Sequence, residues 1–340
     1  MKKIGIVGFG FMGKMHFNCY NSLDTAKIVA ICDKNKDTLS SSDQTQGNIE
    51  GQASEIDLTG IETYVSFDQM LQDADLDAVS ITLPTDLHRD HSIKALERGW
   101  HVLCEKPMAL TVADCQAMID AARSSQKELL IGQCIRYFPE YAKAKEIVDS
   151  GEYGKLLGGS FRRLSLTPVW SSEEWFTNGQ RSGGAAFDLH IHDTDFVQYL
   201  FGIPQAVFSQ GVTGPSQKID HIVTQYLYDE NNKAIVAEGG WMMAEGFGFE
   251  MSFNLVLENA TLCYDITRDP VFRLCPAKGE PFSPEIESGD GYSREIDYFI
   301  RKISGASPPS VTTLEESRNS VRIALAEIES ARTGNLVKLD

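Results

Sequence analysis

No apolar run in this chain approaches the roughly 18 to 20 residues that a membrane-spanning helix needs, which excludes a helical membrane span. Positive charge is also scarce. Against 48 Asp and Glu there are 31 Lys and Arg, a net charge of −17 that repels phosphate backbones and anionic lipid, so nucleic acid and membrane surfaces are set aside as partners. The seven cysteines lack CxxC spacing and fit neither a disulfide framework nor a zinc site; they are expected to be reduced and mainly buried. No internal repeat is visible. What remains is 340 residues, about twice the usual length of one domain, with ample apolar surface to bury in two cores.

The opening "MKKIGIVGFGFMGKMHF" has two readings. Two lysines and an apolar run outline a secretory leader, yet glycines interrupt the run and Lys14, His16, Asn18 and Cys19 follow where small residues should mark a cleavage site. The second reading, a buried strand entering a glycine loop, is adopted, and with it a cytoplasmic location.

Short apolar runs then alternate with polar, helix-like segments, the mark of βα units and a parallel sheet. "KIGIVGF", "KIVAICD", "DAVSITLP", "HVLCEKP" and "ELLIGQCI" read as strands, with "DHSIKALERG" and "VADCQAMIDAARSSQ" as helices. Residues 38–60 are polar, without helical periodicity, and read as a long loop. After a helix at about residues 137–150, six alternating runs from "LGGSFRRLSLT" to "ATLCYDI" predict successive antiparallel strands of an open sheet. One helix at about residues 184–201 interrupts them, and "GYSREIDYFIRKI" and "TLEESRNSVRIALAEIESART" are amphipathic helices near the end. The fold class is α/β: a Rossmann doubly wound parallel sheet over 1–135, an α/β domain with an open, mostly antiparallel sheet over 136–312, and a C-terminal helix over 313–340.

"GFGFMG" sets Gly8, Gly10 and Gly13 in GxGxxG register, with Phe11 and Met12 between. In that motif the first glycine permits the turn, the second lets backbone approach a pyrophosphate and the third allows helix to pack on strand. Asp33 stands at the end of the next strand, where an acid accepts from ribose hydroxyls and opposes a 2′-phosphate, favouring NAD over NADP. An ordinary surface aspartate is the other reading.

Two further stretches carry chemistry. "CEKP" puts Lys106 after a strand, at the carboxyl end of the sheet where open α/β folds bind ligands; a surface Lys-Pro turn would look the same. In "SGGAAFDLHIHDTDF", Asp188 and His192 stand four residues apart on the expected helix, where a carboxylate can orient an imidazole and raise its basicity. A histidine satisfied by its own helix neighbour is the alternative.

Together, "GFGFMG", "TLPTDLHRDHSIKALERGWHVLCEKPMAL" and "SGGAAFDLHIHDTD" resemble, in order and spacing, the signatures of the glucose–fructose oxidoreductase/inositol dehydrogenase (Gfo/Idh/MocA) family over about the first 200 residues. The resemblance implies an active site in the cleft between a Rossmann domain and a domain with an open sheet, and a last helix packed back on the first domain. It implies that Lys106 lies near the nicotinamide, with Asp188 and His192 as its catalytic partners. It also implies that Thr82, Pro84 and His88 line the cofactor, that Glu105 lies beside the nicotinamide, and that the Lys106–Pro107 bond is often cis. The activity implied is NAD-dependent hydride transfer from a secondary alcohol of a sugar, sugar acid or cyclic polyol, with His192 as general base, Asp188 holding it and Lys106 donating to the substrate oxygen. Family members that open glycosidic bonds with NAD, or bind ligand as regulators without turnover, are the alternatives. A homodimer or homotetramer paired through the open sheet is implied as well.

Two features depart from the family pattern. Residues 38–60 replace an alanine-rich helix after the ribose-binding acid, and His190 stands where many relatives have glycine and is a candidate to line the site. "HIHD" is not read as a metal site, since His190 and His192 project from different helix faces. Arg136, Tyr137, Trp175 and Tyr292 are further candidates for pocket lining.

Overall fold

The computed structural model describes residues 1–39, 56–168, 175–229 and 233–339. Of the polar stretch 38–60, all but its two ends lies outside the described residues. β1 (Lys2–Val7) buries Ile4 to Val7 and is the strand from which the first sheet is built outward. α1 (Phe11–Asn21), β2 (Ala26–Cys32), β3 (Glu62–Tyr64), α2 (Phe67–Asp73), β4 (Ala78–Ile81), α3 (His88–Arg98), β5 (His101–Glu105), α4 (Val112–Ser125) and β6 (Leu129–Gly132) follow. The six strands are parallel in the order β3-β2-β1-β4-β5-β6, the doubly wound arrangement read from the sequence. β4 is buried along its whole length, as a strand covered on both faces must be. α4 begins where the Thr111 hydroxyl accepts the Asp114 N–H at 3.1 Å, and α3 stops at Gly99, whose φ of +93° only glycine adopts at no cost.

The second sheet starts after α5 (Pro139–Ser150), with β7 (Leu156–Leu164). Two short helices, α6 (Gly179–Ser182) and α7 (Ala185–Asp188), lead to α8 (Ile191–Phe201). β8 (Ala206–Thr213), β9 (Ile219–Leu227), β10 (Ala234–Gly240), β11 (Glu250–Leu257), β12 (Ala260–Asp265) and β13 (Phe272–Pro276) come next. The chain then adds α9 (Gly291–Ile303), α10 (Leu314–Thr333) and β14 (Val337–Lys338), and the eight-stranded order is β13-β12-β11-β7-β10-β9-β8-β14. One pairing departs from the expected antiparallel series: β10 runs parallel to β7, because the long connection from β7 lets β10 enter from the same end. Edge-to-face rings fill the core of this unit, with Tyr141 at 4.7 Å from Phe196, 5.1 Å from Phe253 and 5.3 Å from Tyr264, centroid to centroid.

The chain divides into two compact units, 1–134 with 170–175 and 290–318, and 135–169 with 176–289 and 319–340. This corrects the expected role of the last helix. α9 is the element that returns to the first unit, packing on α1, while most of α10 belongs to the second, where Glu327, Ser320 and Ser330 bond Thr194, Asp195 and Ser209. The helix expected over residues 184–201 is also broken. His190 N–H reaches back five residues to Ala185 O and His192 N–H only three to Leu189 O, so the turn widens and then tightens between α7 and α8. Among the described residues no helix is long and apolar enough to cross a membrane, and none of the seven cysteines is in a disulfide.

Candidate active site

The first unit gathers its chemistry at the carboxyl ends of β1, β2, β4 and β5. Gly8 takes φ +91°, and a Cβ there would stand 2.7 Å from Thr82 O; one on Gly13 would stand 2.1 Å from Gly8 O. Both positions are closed to any side chain. Gly10, which caps α1 ahead of Phe11 and Met12, is the opposite case, since a Cβ there meets nothing within 4 Å among the described residues. Open space before a helix N-terminus suits a pyrophosphate, because the terminal N–H groups and the helix dipole both attract anions.

Asp33 is anchored to this loop. Its carboxylate accepts the Phe9 N–H at 2.7 Å and the Asn35 N–H at 2.8 Å, and lone pairs remain for a ribose hydroxyl. Thr82 donates its only hydroxyl proton toward Gly8 O at 2.5 Å, so it locks the glycine turn, and Pro84 O accepts Leu87 N–H at 2.9 Å in the turn that precedes α3. His88, 1% exposed, has Nδ1 at 2.8 Å from Pro107 O and Nε2 at 2.7 Å from Leu83 O. His88 is thus turned inward between two backbone carbonyls, to one of which its neutral ring donates. Burial lowers the His88 pKa, against the pull of the two carbonyls and of the Glu105 charge.

Glu105 ends β5 and Lys106 follows it, and the Lys106–Pro107 bond is cis. One carboxylate oxygen of Glu105 lies 3.0 Å from His16 Nε2, and the other accepts the Lys106 N–H at 3.2 Å. Burial pushes the Glu105 carboxyl up, but His16, Lys106 and His88 together outweigh it and hold the pKa below its ordinary value. The charged Glu105 thus sits at the base of the turn that presents Lys106.

In the second unit, Gly183 and Gly184, both at φ +80°, turn the chain into α7; a Cβ on Gly183 would stand 2.7 Å from Phe187 Cβ. Asp220 holds this turn, accepting from Ala185 N–H at 3.1 Å and from Ser216 N–H and hydroxyl at 2.8 and 2.6 Å. Asp188 closes α7 at 6% exposure and His192 stands in the first turn of α8 at 8%. The rest of that first turn is bound inward: Arg163 on Asp193 at 2.9 Å, and Thr194 on Glu327 at 3.0 Å.

Two candidates for substrate lining are corrected by their burial. His190 is fully buried with Nε2 3.4 Å from Glu327, and Arg136 is fully buried in a two-pronged pair with Asp195 at 2.7 and 2.8 Å. Arg136 holds the interior together, and His190 is enclosed within it. Trp175 and Tyr292, half-buried, belong to the first unit rather than the second, and Tyr292 lies in the first turn of α9. Sequence reasoning missed His16, Asp220 and Glu327. Of these, only His16 left a signal, a histidine three residues beyond the last glycine of the loop. Among the described residues no group of three or more His, Cys, Asp or Glu is arranged to hold a metal ion.

The N-terminal model of the Gfo/Idh/MocA family, an oxidoreductase family with an NAD-binding Rossmann fold, matches residues 2–133, and its C-terminal domain model matches residues 141–263. The chain belongs to this family. Gfo/Idh/MocA relatives include the scyllo-inositol 2-dehydrogenase (NAD(+)) of Bacillus subtilis, 27% identical with 99% of this chain and 96% of that protein covered. An uncharacterized oxidoreductase of Streptococcus pneumoniae is 30% identical over 62% of this chain, and the match spans only 53% of that protein. Among solved structures, the WlbA dehydrogenase from Bordetella pertussis, in complex with NADH and UDP-GlcNAcA, superposes with a TM-score of 0.85 at 21% identity, covering 100% of this chain and 98% of that one. That likeness shows the fold alone.

Proposed function

We propose that this Gfo/Idh/MocA protein is a cytoplasmic dehydrogenase that uses NAD in preference to NADP to oxidise a secondary alcohol of a cyclic polyol, sugar or sugar acid. The observation that carries the reading is the grouping in the first unit of the open space at Gly10, the acid Asp33 and the Glu105–Lys106–Pro107 turn, all at the carboxyl ends of one parallel sheet. Similarity over 99% of the chain to an NAD-dependent inositol dehydrogenase supports the substrate class.

NAD, when bound, takes up the hydride. Gly10 and the first turn of α1 would receive its pyrophosphate, and Asp33 would accept from its ribose hydroxyls. His192 removes the hydroxyl proton as general base, and Asp188 holds the imidazole in the orientation that this requires. Lys106 donates to the substrate oxygen, where negative charge grows as the proton leaves, so a cationic donor helps most in the transition state. The open face of the eight-stranded sheet, where Phe208, Val223, Val236 and Val256 are each more than a third exposed, supports a homodimer or homotetramer formed through it.

A screen of inositols, aldoses and sugar acids for NADH formation, run beside chromogenic glycosides, tests the reading. NADH accumulation with one alcohol is expected. Aglycone release without net NADH would assign the chain to NAD-dependent glycosidases, and neither product would leave a regulator. On the responding substrate, Lys106→Met is expected to lower kcat on the order of a hundredfold or more with little change in NADH affinity. His192→Ala should lower it roughly a hundred- to ten-thousandfold and remove the rise of activity from weakly acidic to neutral pH.

A further inference from the structure

We propose that His16 is a positioning residue for Lys106, acting through the Glu105 carboxylate; the inference rests on the reading that Lys106 serves the reaction. His16 lies on α1, the helix that begins at the glycine loop, and its imidazole is fully buried. A buried imidazole is costly unless its polar atoms are used. Among the described residues Nδ1 has no hydrogen-bond partner, so Nε2 carries the ring's polar contact, 3.0 Å from Glu105 Oε1, while Glu105 Oε2 accepts the Lys106 backbone N–H at 3.2 Å. One carboxylate is thus divided between the pyrophosphate helix and the backbone of the lysine.

The seat of that carboxylate is shaped on its remaining side by a neighbouring strand. A Cβ on Gly132, which pairs with Glu105 across β5 and β6, would stand 3.3 Å from Oε1, so glycine leaves the room that the carboxylate fills. On the far side of Lys106, His88 grips Pro107 O from α3. His88 lies between two backbone carbonyls, whereas among the described residues His16 reaches the turn through Glu105. The consequence is a two-bond link from the glycine-loop helix to the lysine, which sets Lys106 in register with whatever α1 binds. Misplacement of a reacting group by about 1 Å can cost on the order of a hundredfold, so such a link has kinetic weight.

The test uses the full chain with His16→Ala, His16→Gln and Glu105→Gln. A glutamine amide reaches about as far as imidazole Nε2 and can donate to Glu105 Oε1. His16→Ala is expected to lower kcat roughly ten- to a hundredfold while KM for NAD and NADH affinity change by less than about threefold, and His16→Gln to recover most of the loss. Combining His16→Ala with Glu105→Gln should cost little more than either alone, since the two act as one unit. Equal losses in the Ala and Gln variants, or a loss confined to NADH affinity, would overturn the proposal. A second measurement needs no turnover: lysines are reductively methylated with 13C-formaldehyde, and the Lys106 signal is identified by its disappearance in Lys106→Met. That signal should move in His16→Ala and return in His16→Gln, even if no alcohol is ever oxidised and the dehydrogenase reading falls. Should His16→Ala not fold, Glu105→Gln decides, and an unmoved Lys106 signal there overturns the link.

Discussion

The Arg136 guanidinium lies on the Asp195 carboxylate with Nε to Oδ2 at 2.7 Å and Nη2 to Oδ1 at 2.8 Å, and neither side chain is exposed. The Ser320 hydroxyl adds a third bond, to Asp195 Oδ1 at 2.7 Å. Arg136→Met strands a buried carboxylate and is expected to cost about 3–5 kcal/mol of stability, whereas Arg136→Met with Asp195→Leu should recover much of that loss. Urea unfolding measures both. If Arg136→Met left stability intact but raised KM for the substrate, Arg136 would be a substrate ligand after all.

Gly10→Leu should abolish binding of NADH and NADPH alike while the unfolding midpoint stays near wild type. The backbone there, φ −76° and ψ −155°, is extended with the negative φ that side-chain-bearing residues adopt, and among the described residues a Cβ meets nothing within 4 Å. Only a ligand is displaced. Titration of NADH fluorescence beside a thermal melt checks this, and unaltered affinity would mean that the loop is not the phosphate site.

Asp33→Asn keeps an oxygen that can accept the Phe9 N–H but removes the charge that opposes a 2′-phosphate. The wild-type protein is expected to bind NADH more tightly than NADPH, and the substitution to narrow that gap. Paired titrations with the two dinucleotides decide it. A wild-type preference for NADPH would remove Asp33 from its role.

Glu295, on the face of α9 turned into the first unit, is fully buried, and among the described residues neither of its oxygens has a hydrogen-bond partner. Burial first, and the Glu105 charge second, push its pKa well above the ordinary 4.5. A carboxyl of this kind holds its proton more tightly in the folded state. Its contribution to stability is complete below about pH 4.5 and is lost as pH rises through the folded pKa. Glu295→Gln cannot ionise, so it should gain stability relative to wild type between pH 5 and 8, as read from thermal melts across that range. A difference that is flat, or that runs the other way, would refute the assignment.

On the second sheet, Val223 of β9 and Val236 of β10 share the face left open in this chain. Val223→Asp with Val236→Asp should convert a dimer or tetramer to monomer at micromolar concentration, with the far-ultraviolet circular dichroism retained. Light scattering reports the mass. A wild-type protein that is monomeric at that concentration would refute assembly through this face.

Much of the first sheet was legible because its strands are buried on both faces and read as apolar runs such as "AVSI" in β4. β3 was not, since Glu62 and Thr63 carry no apolar signal and the strand exists only through its pairing with β2. β14, two residues at the sheet edge, is of the same kind, whereas β13 does alternate the buried Phe272 and Leu274 but is only five residues long. In the candidate site, glycine spacing pointed to Gly8, Gly10 and Gly13 because each has a local steric meaning. Arg136 and His190 misled for the converse reason: polar side chains near a motif look available until partners far along the chain, Asp195 and Glu327, are brought to them. Such pairings are tertiary and leave no local periodicity.

The return of α9 to the first unit bears on how the chain is made. α1 turns Phe17, Cys19 and Tyr20 inward, and the helix that packs on it lies more than 260 residues later. At a synthesis rate of about 5–20 residues per second, the flank of α1 that α9 covers stays bare for on the order of tens of seconds on the ribosome. The nascent Rossmann sheet is therefore complete in its strands long before it is complete in its layers, and a fragment ending at residue 134 would carry that bare flank permanently.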